Sequence, residues 1–304
     1  MDGGGRMSAF TSRLAPQPRK PEWIRIKIRT GESFQAVREM VQDLKLHTVC
    51  QEAKCPNIFE CFSNKTATFM ILGDVCTRTC GFCAVGKGRT LPPDPEEPLH
   101  VAEAVRGMGL RHAVVTSVNR DDLPDQGAGQ FVATIAEIRR LNAGTRVEVL
   151  IPDFQGDEGC LASVLAARPE ILNHNIESVP RLYRRVRLGA DYGRSLALLA
   201  RASAFRDELA PDMMTKSGVM VGLGETYGEL LGVMDDLRAS GVDVLTIGQY
   251  LRPSVKHLPV ERFYPPDEFV QLKEEGRKRG FKHVESGPLV RSSYHAGEQA
   301  AAAS

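Results

Sequence analysis

The chain has little of what a membrane, secreted or nucleic-acid-binding protein needs. No apolar run approaches the ~18 residues that cross a bilayer. With 39 Lys+Arg against 38 Asp+Glu there is no excess of one sign to gather a polyanion. Aromatic residues are 6% of the chain, with a single Trp, and none interleaves with a basic patch as a base-stacking surface would. Met1 to Lys20 carries Gly, Pro and scattered Arg but no apolar core, so it does not read as a secretory signal. Arg6, Arg13, Arg19 and Lys20 outweigh Asp2 there; a bacterial N-terminal tail is the simpler expectation and an organellar transit remnant the alternative. Gly-x-Gly-x-x-Gly is also missing after the first strand, which counts against an open doubly wound dinucleotide-binding sheet. At 42% hydrophobic and 25% charged, the composition excludes a disordered or fibrous chain.

Cysteine is what the sequence does have. Of seven, six crowd between Cys50 and Cys83, and only Cys160 stands outside. An odd count without a secretory leader argues against a disulfide framework. In a reducing compartment, here expected to be a bacterial cytoplasm, clustered thiolates point to metal.

Residues 1–20 read as a disordered tail and 21–66 as an N-terminal extension. The extension opens on a strand-like Trp23–Ile28 and continues into a helix whose apolar stripe is Phe34, Val37, Met40, Val41 and Leu44. From residue 67 to 285, apolar runs at 68–72, 113–116, 147–151, 171–175, 219–222 and 244–247 alternate with helical stretches at 100–108, 130–141, 160–167, 183–205, 227–239 and 267–279. Six strands joined by helices predict a parallel sheet, because parallel neighbours need crossovers. The expected fold is therefore α/β: a partial, open six-stranded (βα)6 barrel with a cysteine-rich extension before it and a closing segment, 286–304, after it. The stretch 281–294 adds a short strand and shows no helical pattern.

The first motif is Cys76-x-x-x-Cys80-x-x-Cys83, just after the first barrel strand. Three thiolates in so short a loop suit three irons of one cluster, whose sulfides favour soft ligands. A fourth iron is then left open, as needed for chelation by the amine and carboxylate of S-adenosylmethionine. Zinc is the competing reading, but a zinc knuckle pairs Cys-x-x-Cys with a second pair of ligands that is missing here. With Phe82 before its last cysteine, the motif resembles the signature of radical S-adenosylmethionine enzymes, and the resemblance implies that Phe82 lies beside adenine.

The second motif is Cys50-x4-Cys55-x5-Cys61. Alone it carries a moderate signal, with zinc or thiols packed in a core as the alternatives. In company with the first it suggests a second cluster. The stretch His47 to Cys61 is similar to the auxiliary-cluster motif of lipoyl synthases, and Arg291-Ser292-Ser293-Tyr294 to that family's C-terminal motif; the likeness runs from about Trp23 to His295. It implies two four-iron, four-sulfur clusters and S-adenosylmethionine. It also implies an octanoyl chain, amide-linked to a lysine of a carrier domain, that loses hydrogens at C6 and C8 and receives two sulfurs from the cluster of Cys50, Cys55 and Cys61. Matching the closing motif implies Ser293 as that cluster's fourth ligand, with Ser292 the fallback; the bland alternative is that both hydroxyls satisfy backbone in a turn.

Ligands of such folds collect at the C-terminal strand ends. Thr116 and Ser117 end the second strand and are candidates for the methionine amine. Asn175 and Glu177 follow the fourth and are candidates for the ribose. Gly222, Gly224 and Glu225 follow the fifth, where glycine lets backbone approach a cofactor, and Gln249-Tyr250 end the sixth. Each has an ordinary alternative as a turn or cap. Cys160 reads as a small buried hydrophobe, and Arg181, Arg184, Arg185 and Arg187 as a solvated helix face, with docking of an acidic carrier domain a weaker reading. His100 and His112 lack ligand spacing, while Asp121, Asp122 and Arg252 fall on loops at the expected mouth.

The expected partners are octanoylated carrier domains of 2-oxoacid dehydrogenase complexes and the glycine cleavage H protein, a low-potential donor of ferredoxin or flavodoxin type, and an iron–sulfur carrier protein. Neither nucleic acid nor membrane is expected. The competing readings are another radical sulfur-inserting or methylthiolating enzyme, and a non-catalytic zinc or iron–sulfur module.

Overall fold

The structure, a computed structural model, describes residues 18–26 and 28–303. The expected tail thus falls outside the described residues except for 18–20. The stripe foreseen in the extension forms α1 (Glu32–Asp43), burying Phe34, Val37 and Val41. β1 (His47–Thr48), α2 (Val49–Glu52) and α3 (Ile58–Ser63) follow, with Cys50 on α2, Cys61 on α3 and Cys55 in the turn between them. The strand expected at Trp23–Ile28 is not formed among its described residues; Trp23 Nε1 instead donates to the Tyr264 carbonyl at 3.2 Å.

The barrel then alternates: β2 (Thr68–Ile71), the small pair β3 (Val75–Cys76) and β4 (Gly86–Lys87), α4 (Glu97–Met108), β5 (His112–Ser117), α5 (Ala128–Leu141), β6 (Arg146–Leu150), α6 (Glu158–Ala166) and β7 (Ile171–Asn173). After α7 (Tyr183–Val186) and α8 (Tyr192–Leu209) come β8 (Met214–Val221), α9 (Tyr227–Ala239), β9 (Val244–Gln249), α10 (Pro266–Lys278), β10 (His283–Gly287) and α11 (Ala296–Ala303). Local chemistry sets several ends. Gly109, with φ 67°, closes α4 in the left-handed region, and Thr226 with Glu229 forms a capping box on α9. The single helix expected over 183–205 is broken in two, and Asp191 caps the second part by accepting the Arg194 N–H at 2.8 Å.

The main sheet has the order β1-β2-β5-β6-β7-β8-β9-β10, parallel throughout except for β1. The six expected strands are there, and the short strand foreseen after residue 281 joins them as a seventh parallel member. Helices on one side and the barrel interior on the other bury both faces, so β8 is apolar or buried along nearly its whole length. Because β1 and β10 are the two edges, the barrel is open, and the chain after β10 crosses that seam. There α11 packs Ala300 against Ile171, Met214 and Val244, the first residues of three strands. Inside that end lies a buried polar knot: Lys216 Nζ stands 2.9 Å from Glu148, which also meets His112 at 3.3 Å and the Asn173 amide at 3.1 Å.

Candidate active site

The barrel cysteine loop is tied down on several sides. Its Arg78 guanidinium, buried, bridges Asp121 and Asp153 at 2.7 Å each. Cys76 Sγ accepts the backbone N–H groups of Arg78 at 3.4 Å and Asn119 at 3.3 Å. Gly81 donates to the Val186 carbonyl and accepts from Leu258, at 2.9 and 3.0 Å, and a Cβ there would lie 2.9 Å from Leu258 Cγ. Burial pushes the Cys80 thiol up to about 12 and raises Cys83 as well, so without metal both hold their protons. Bringing in a metal must expel those protons, and soft, polarisable iron–sulfide is the kind of acceptor that does so.

The other triplet lies beside the start of β2. Cys50 is 5% exposed and shares a hydrogen bond with Cys61, which raises Cys50 and lowers Cys61. Cys55 is raised by burial, against the pull of the Arg291 cation. The segment after β10 completes this site from the opposite edge of the sheet. The Thr68 hydroxyl donates to Ser293 Oγ at 2.7 Å, and the Thr68 backbone hydrogen-bonds Cys50, so Ser293 and the triplet meet on one residue. Ser292 lines the same cavity. The segment is pinned by side chains that lie between Cys55 and Cys61: Asn57 Nδ2 donates to the Leu289 carbonyl at 2.8 Å, and Glu60 accepts from the Tyr294 hydroxyl at 3.0 Å with His295 Nε2 at 3.1 Å.

A single cavity of about 1410 Å³ reaches both triplets. Phe82, Thr116, Ser117, Asn175 and Glu177 line it together with Ser293. Ser117 Oγ and Asn175 Oδ1 are buried without a hydrogen-bond partner, the state of groups that await a polar ligand. The Thr116 hydroxyl is committed to the Leu150 carbonyl at 2.8 Å. Glu177, at φ 67°, sits in the left-handed region, held by the Gly218 carbonyl on its N–H at 2.9 Å; burial raises its carboxyl. Gly218 faces it, where a Cβ would come within 2.8 Å of Asn175 Oδ1. Gly222, Gly224 and Glu225 do not line this cavity. The Glu225 carboxylate accepts the N–H groups of Gly222 and Leu223 at 2.5 and 2.9 Å, and Gly222, at φ 98°, leaves room for Gln249, whose Nε2 a Cβ would meet at 2.1 Å.

The basic stretch divides. Arg181 and Arg185 pair with Glu229 at 2.7 Å and Glu261 at 3.0 Å, so that face is largely neutralised. Arg187 corrects the reading of a solvated face: its guanidinium turns inward to line the cavity, donating to Tyr183 Oη at 2.8 Å and Ser195 Oγ at 3.0 Å. Fully buried His174 stands 3.4 Å away, and burial, then Arg187, push its pKa down to about 3. The neutral ring donates from Nδ1 to the Ile151 carbonyl at 2.8 Å and leaves Nε2 as an acceptor. Among the described residues no carboxylate lies within ion-pair distance of Arg187, so a half-buried cation faces the cavity without an ion-pair partner. Sequence reading missed Arg187 and Gly218. No local signal marks the first: 184 and 187 stand three apart, the spacing of one helix face. Cys160 is buried as expected, with Sγ donating to the Asp125 carbonyl at 3.2 Å.

Comparison with known proteins bears on the family. Residues 70–237 match the model of the radical SAM superfamily, and residues 10–55 that of the N-terminal domain of lipoyl synthase of the radical SAM family. The chain is 59% identical to a lipoyl synthase of Rubrobacter xylanophilus, across 92% of its length and 86% of that protein's. It is 60% identical to a lipoyl synthase of Koribacter versatilis, across 94% and 92%. Among solved structures, Streptococcus suis SuiB bound to S-adenosylmethionine superposes with a TM-score of 0.55 at 10% identity, over 84% of this chain and 54% of that one. The hydrogenase maturase HydG gives 0.51 at 15% identity, over 82% and 62%. These two share the fold.

Proposed function

The chain belongs to the lipoyl synthase family of radical S-adenosylmethionine enzymes, and on that premise we propose how its residues divide the work. It is a sulfurtransferase that uses S-adenosylmethionine and two four-iron, four-sulfur clusters, and it acts on octanoylated lipoyl domains. Cys76, Cys80 and Cys83 hold the radical-generating cluster. Bound there, S-adenosylmethionine and that cluster supply a 5′-deoxyadenosyl radical, a reagent for C–H bonds that no side-chain base can ionise.

Phe82 would lie beside the adenine, Asn175 and Glu177 would take the ribose hydroxyls, and Ser117 would offer its free hydroxyl to the methionine amine; Thr116, already committed to backbone, orients the strand end. Arg187 receives the methionine carboxylate, the anion that a half-buried guanidinium without an ion-pair partner selects. Gly222, Gly224 and Glu225 act one step back, by shaping the loop that seats Gln249. Cys50, Cys55 and Cys61 with Ser293 hold the second cluster, which is consumed as the sulfur substrate for C6 and C8. A serine oxygen is a harder donor than thiolate and a poorer match to iron–sulfide, so it suits a cluster that must come apart. The carriers served are the 2-oxoacid dehydrogenase complexes and the glycine cleavage H protein. A ferredoxin- or flavodoxin-type protein supplies electrons, an iron–sulfur carrier rebuilds the spent cluster, and the setting is the bacterial cytoplasm.

The observation that carries this reading is the cavity that reaches both triplets and is also lined by Ser117 and Asn175, whose buried oxygens lack a hydrogen-bond partner. Zinc is disfavoured because a zinc knuckle pairs Cys-x-x-Cys with a second pair of ligands, which the Cys76–Cys83 motif lacks. The test is anaerobic incubation with S-adenosylmethionine, a reductant and an octanoyl-lysyl peptide, followed by mass analysis for the dithiolated product. Cleavage of S-adenosylmethionine without any sulfur-containing product would overturn it, as would saturation at a single cluster with Cys50, Cys55 and Cys61 free to alkylation.

A further inference from the structure

The closing segment turns at Arg291-Ser292-Ser293-Tyr294, where the Tyr294 N–H donates to the Arg291 carbonyl at 3.0 Å. Ser293 meets Thr68 and Tyr294 meets Glu60, while Arg291 has no role so far. The segment is anchored on either side of it: Asn57 holds the Leu289 carbonyl at 2.8 Å and Thr68 holds Ser293 at 2.7 Å. Asn57 lies within the Cys50–Cys61 stretch and Thr68 bonds Cys50, so these anchors set Arg291 beside that triplet. Gly248, near the C-terminal end of β9, lets the segment pass close. A Cβ there would lie 2.1 Å from the Val290 carbonyl oxygen and 3.3 Å from Arg291 Nη1. The guanidinium folds back along that edge, with Nη1 donating to the Val290 carbonyl at 2.6 Å, and the half-buried side chain lines the cavity.

Among the described residues no carboxylate lies within ion-pair distance of Arg291. The charges it meets are those of Cys55, a thiolate once metal is bound, and of Glu177, which lines the same cavity. Other cations near the triplet are already engaged or wet. His295 is shared between Glu60 and Glu298, at 3.1 Å from each. Lys54 and Lys65 also line the cavity, but both are exposed and their charge is screened by water and salt. A cation drawn out of water asks for an anion, and a cluster held by three thiolates and a serine oxygen is one.

We propose that Arg291 is the counter-charge of the second cluster, placed to stabilise the electron that sulfur transfer leaves on it. The inference rests on the functional reading above and deepens it. The bond that forms sets the electron count. A substrate carbon radical brings one electron and a cluster sulfide brings a lone pair. The new C–S bond holds two of these three electrons, and the third passes to iron, which goes from ferric to ferrous. Negative charge therefore grows in a site of low dielectric, where a fixed cation acts most strongly. Cluster potentials follow net charge and hydrogen bonding, so Arg291 makes this cluster easier to reduce and a better sulfur donor to a radical.

The test isolates the second cluster in a Cys76→Ala/Cys80→Ala/Cys83→Ala background. Iron and sulfide content and the midpoint potential, from a spectroscopic redox titration, are measured with Arg291 in place and in Arg291→Lys and Arg291→Gln. The expected result is equal loading in all three. Reduction should be about tenfold less favourable in Arg291→Gln, a midpoint about 59 mV more negative for one electron, with most of the shift restored in Arg291→Lys. With the barrel cysteines intact, Arg291→Gln should release more 5′-deoxyadenosine per sulfur inserted than wild type, and Arg291→Lys should fall between. An unchanged potential in Arg291→Gln would overturn the proposal. The same shift in both variants would do so too, because shape rather than charge would then be responsible. Failure of either variant to load the cluster would also overturn it, by assigning Arg291 to assembly. If the Cys50 triplet takes up no cluster even with Arg291 in place, the functional reading falls, and this inference with it.

Discussion

The two cysteine triplets are held in opposite ways. The barrel loop is fastened by buried ion pairs and backbone hydrogen bonds to the strands that follow it, with Arg78 locked between Asp121 and Asp153. The auxiliary loop is completed by a segment from the far edge of the sheet, through polar contacts at Asn57, Glu60 and Thr68. One site is a rigid socket; the other is two pieces of chain clasped together. A cluster that persists through turnover suits the first, and one that is dismantled and rebuilt suits the second, whose closing segment meets it through side-chain hydrogen bonds.

The largest effects separate the sites by role. Cys80→Ala should abolish cleavage of S-adenosylmethionine, measured as 5′-deoxyadenosine, whereas Cys55→Ala should retain cleavage and give no sulfur-containing product. Thiolated product from Cys55→Ala would erase the division. Next comes the socket itself. Arg78→Ala leaves Asp153 buried without its main partner, and breaking such a pair costs about 3–5 kcal/mol; a thermal melt that barely moves would show that the loop is not held as described.

A partial defect is expected from Ser293→Cys. Both clusters and S-adenosylmethionine cleavage should survive while sulfur insertion finishes poorly, because a thiolate grips its iron more firmly. Full yield from this variant, or an unchanged auxiliary-cluster spectrum in Ser293→Ala, would remove Ser293 from the ligand set. On the clasp, Tyr294→Phe deletes one hydrogen bond to Glu60, worth about 1 kcal/mol. Amides of residues 289–303 should exchange faster in the metal-free protein, with those of β5 and β6 unaffected. Uniform acceleration would mean that segment and barrel open as one.

The smallest effect is on pH. His174 titrates near about 3 when folded and near about 6.5 in an unfolded chain. As pH falls below about 6.5 the unfolded state binds a proton that the native state refuses, so stability is present above that point and declines toward about pH 3. Asp153, whose burial penalty is outweighed by Arg78, is held at about 2 and contributes stability that is lost only in stronger acid. Denaturant midpoints of the metal-free protein at stepped pH check the order; a His174→Gln variant with the same slope between pH 6 and 4 would acquit the imidazole.

Most of the barrel was legible because buried parallel strands read as short apolar runs and their crossovers as amphipathic helices, both set by local periodicity. β10 was harder to place in the sheet: His283, Glu285 and Ser286 flank a single fully buried Val284, so its membership depends on pairing with β9. Trp23–Ile28 had the alternation of a strand, but the sheet edge beside β2 is already taken by β1. The cysteines could be read because their spacing is the chemistry. Arg187 could not, since its inward turn depends on His174 and Ser195, which share no local pattern with it.

The clasp also fixes an order of events during synthesis. Ser293 follows Thr68 by 225 positions, and the strands that carry the barrel socket and its frame lie between them. Chains fold from the N-terminal side as they are made. The barrel loop and its partners Asp121, Asp153 and Arg187 can therefore settle while translation is still in progress. The auxiliary thiols, made earlier, must wait until the ribosome has passed β10 before their fourth wall exists. Loading of that site is in this sense a maturation step, and a nascent chain stalled before residue 289 would display three unsheltered thiols beside a nearly finished barrel.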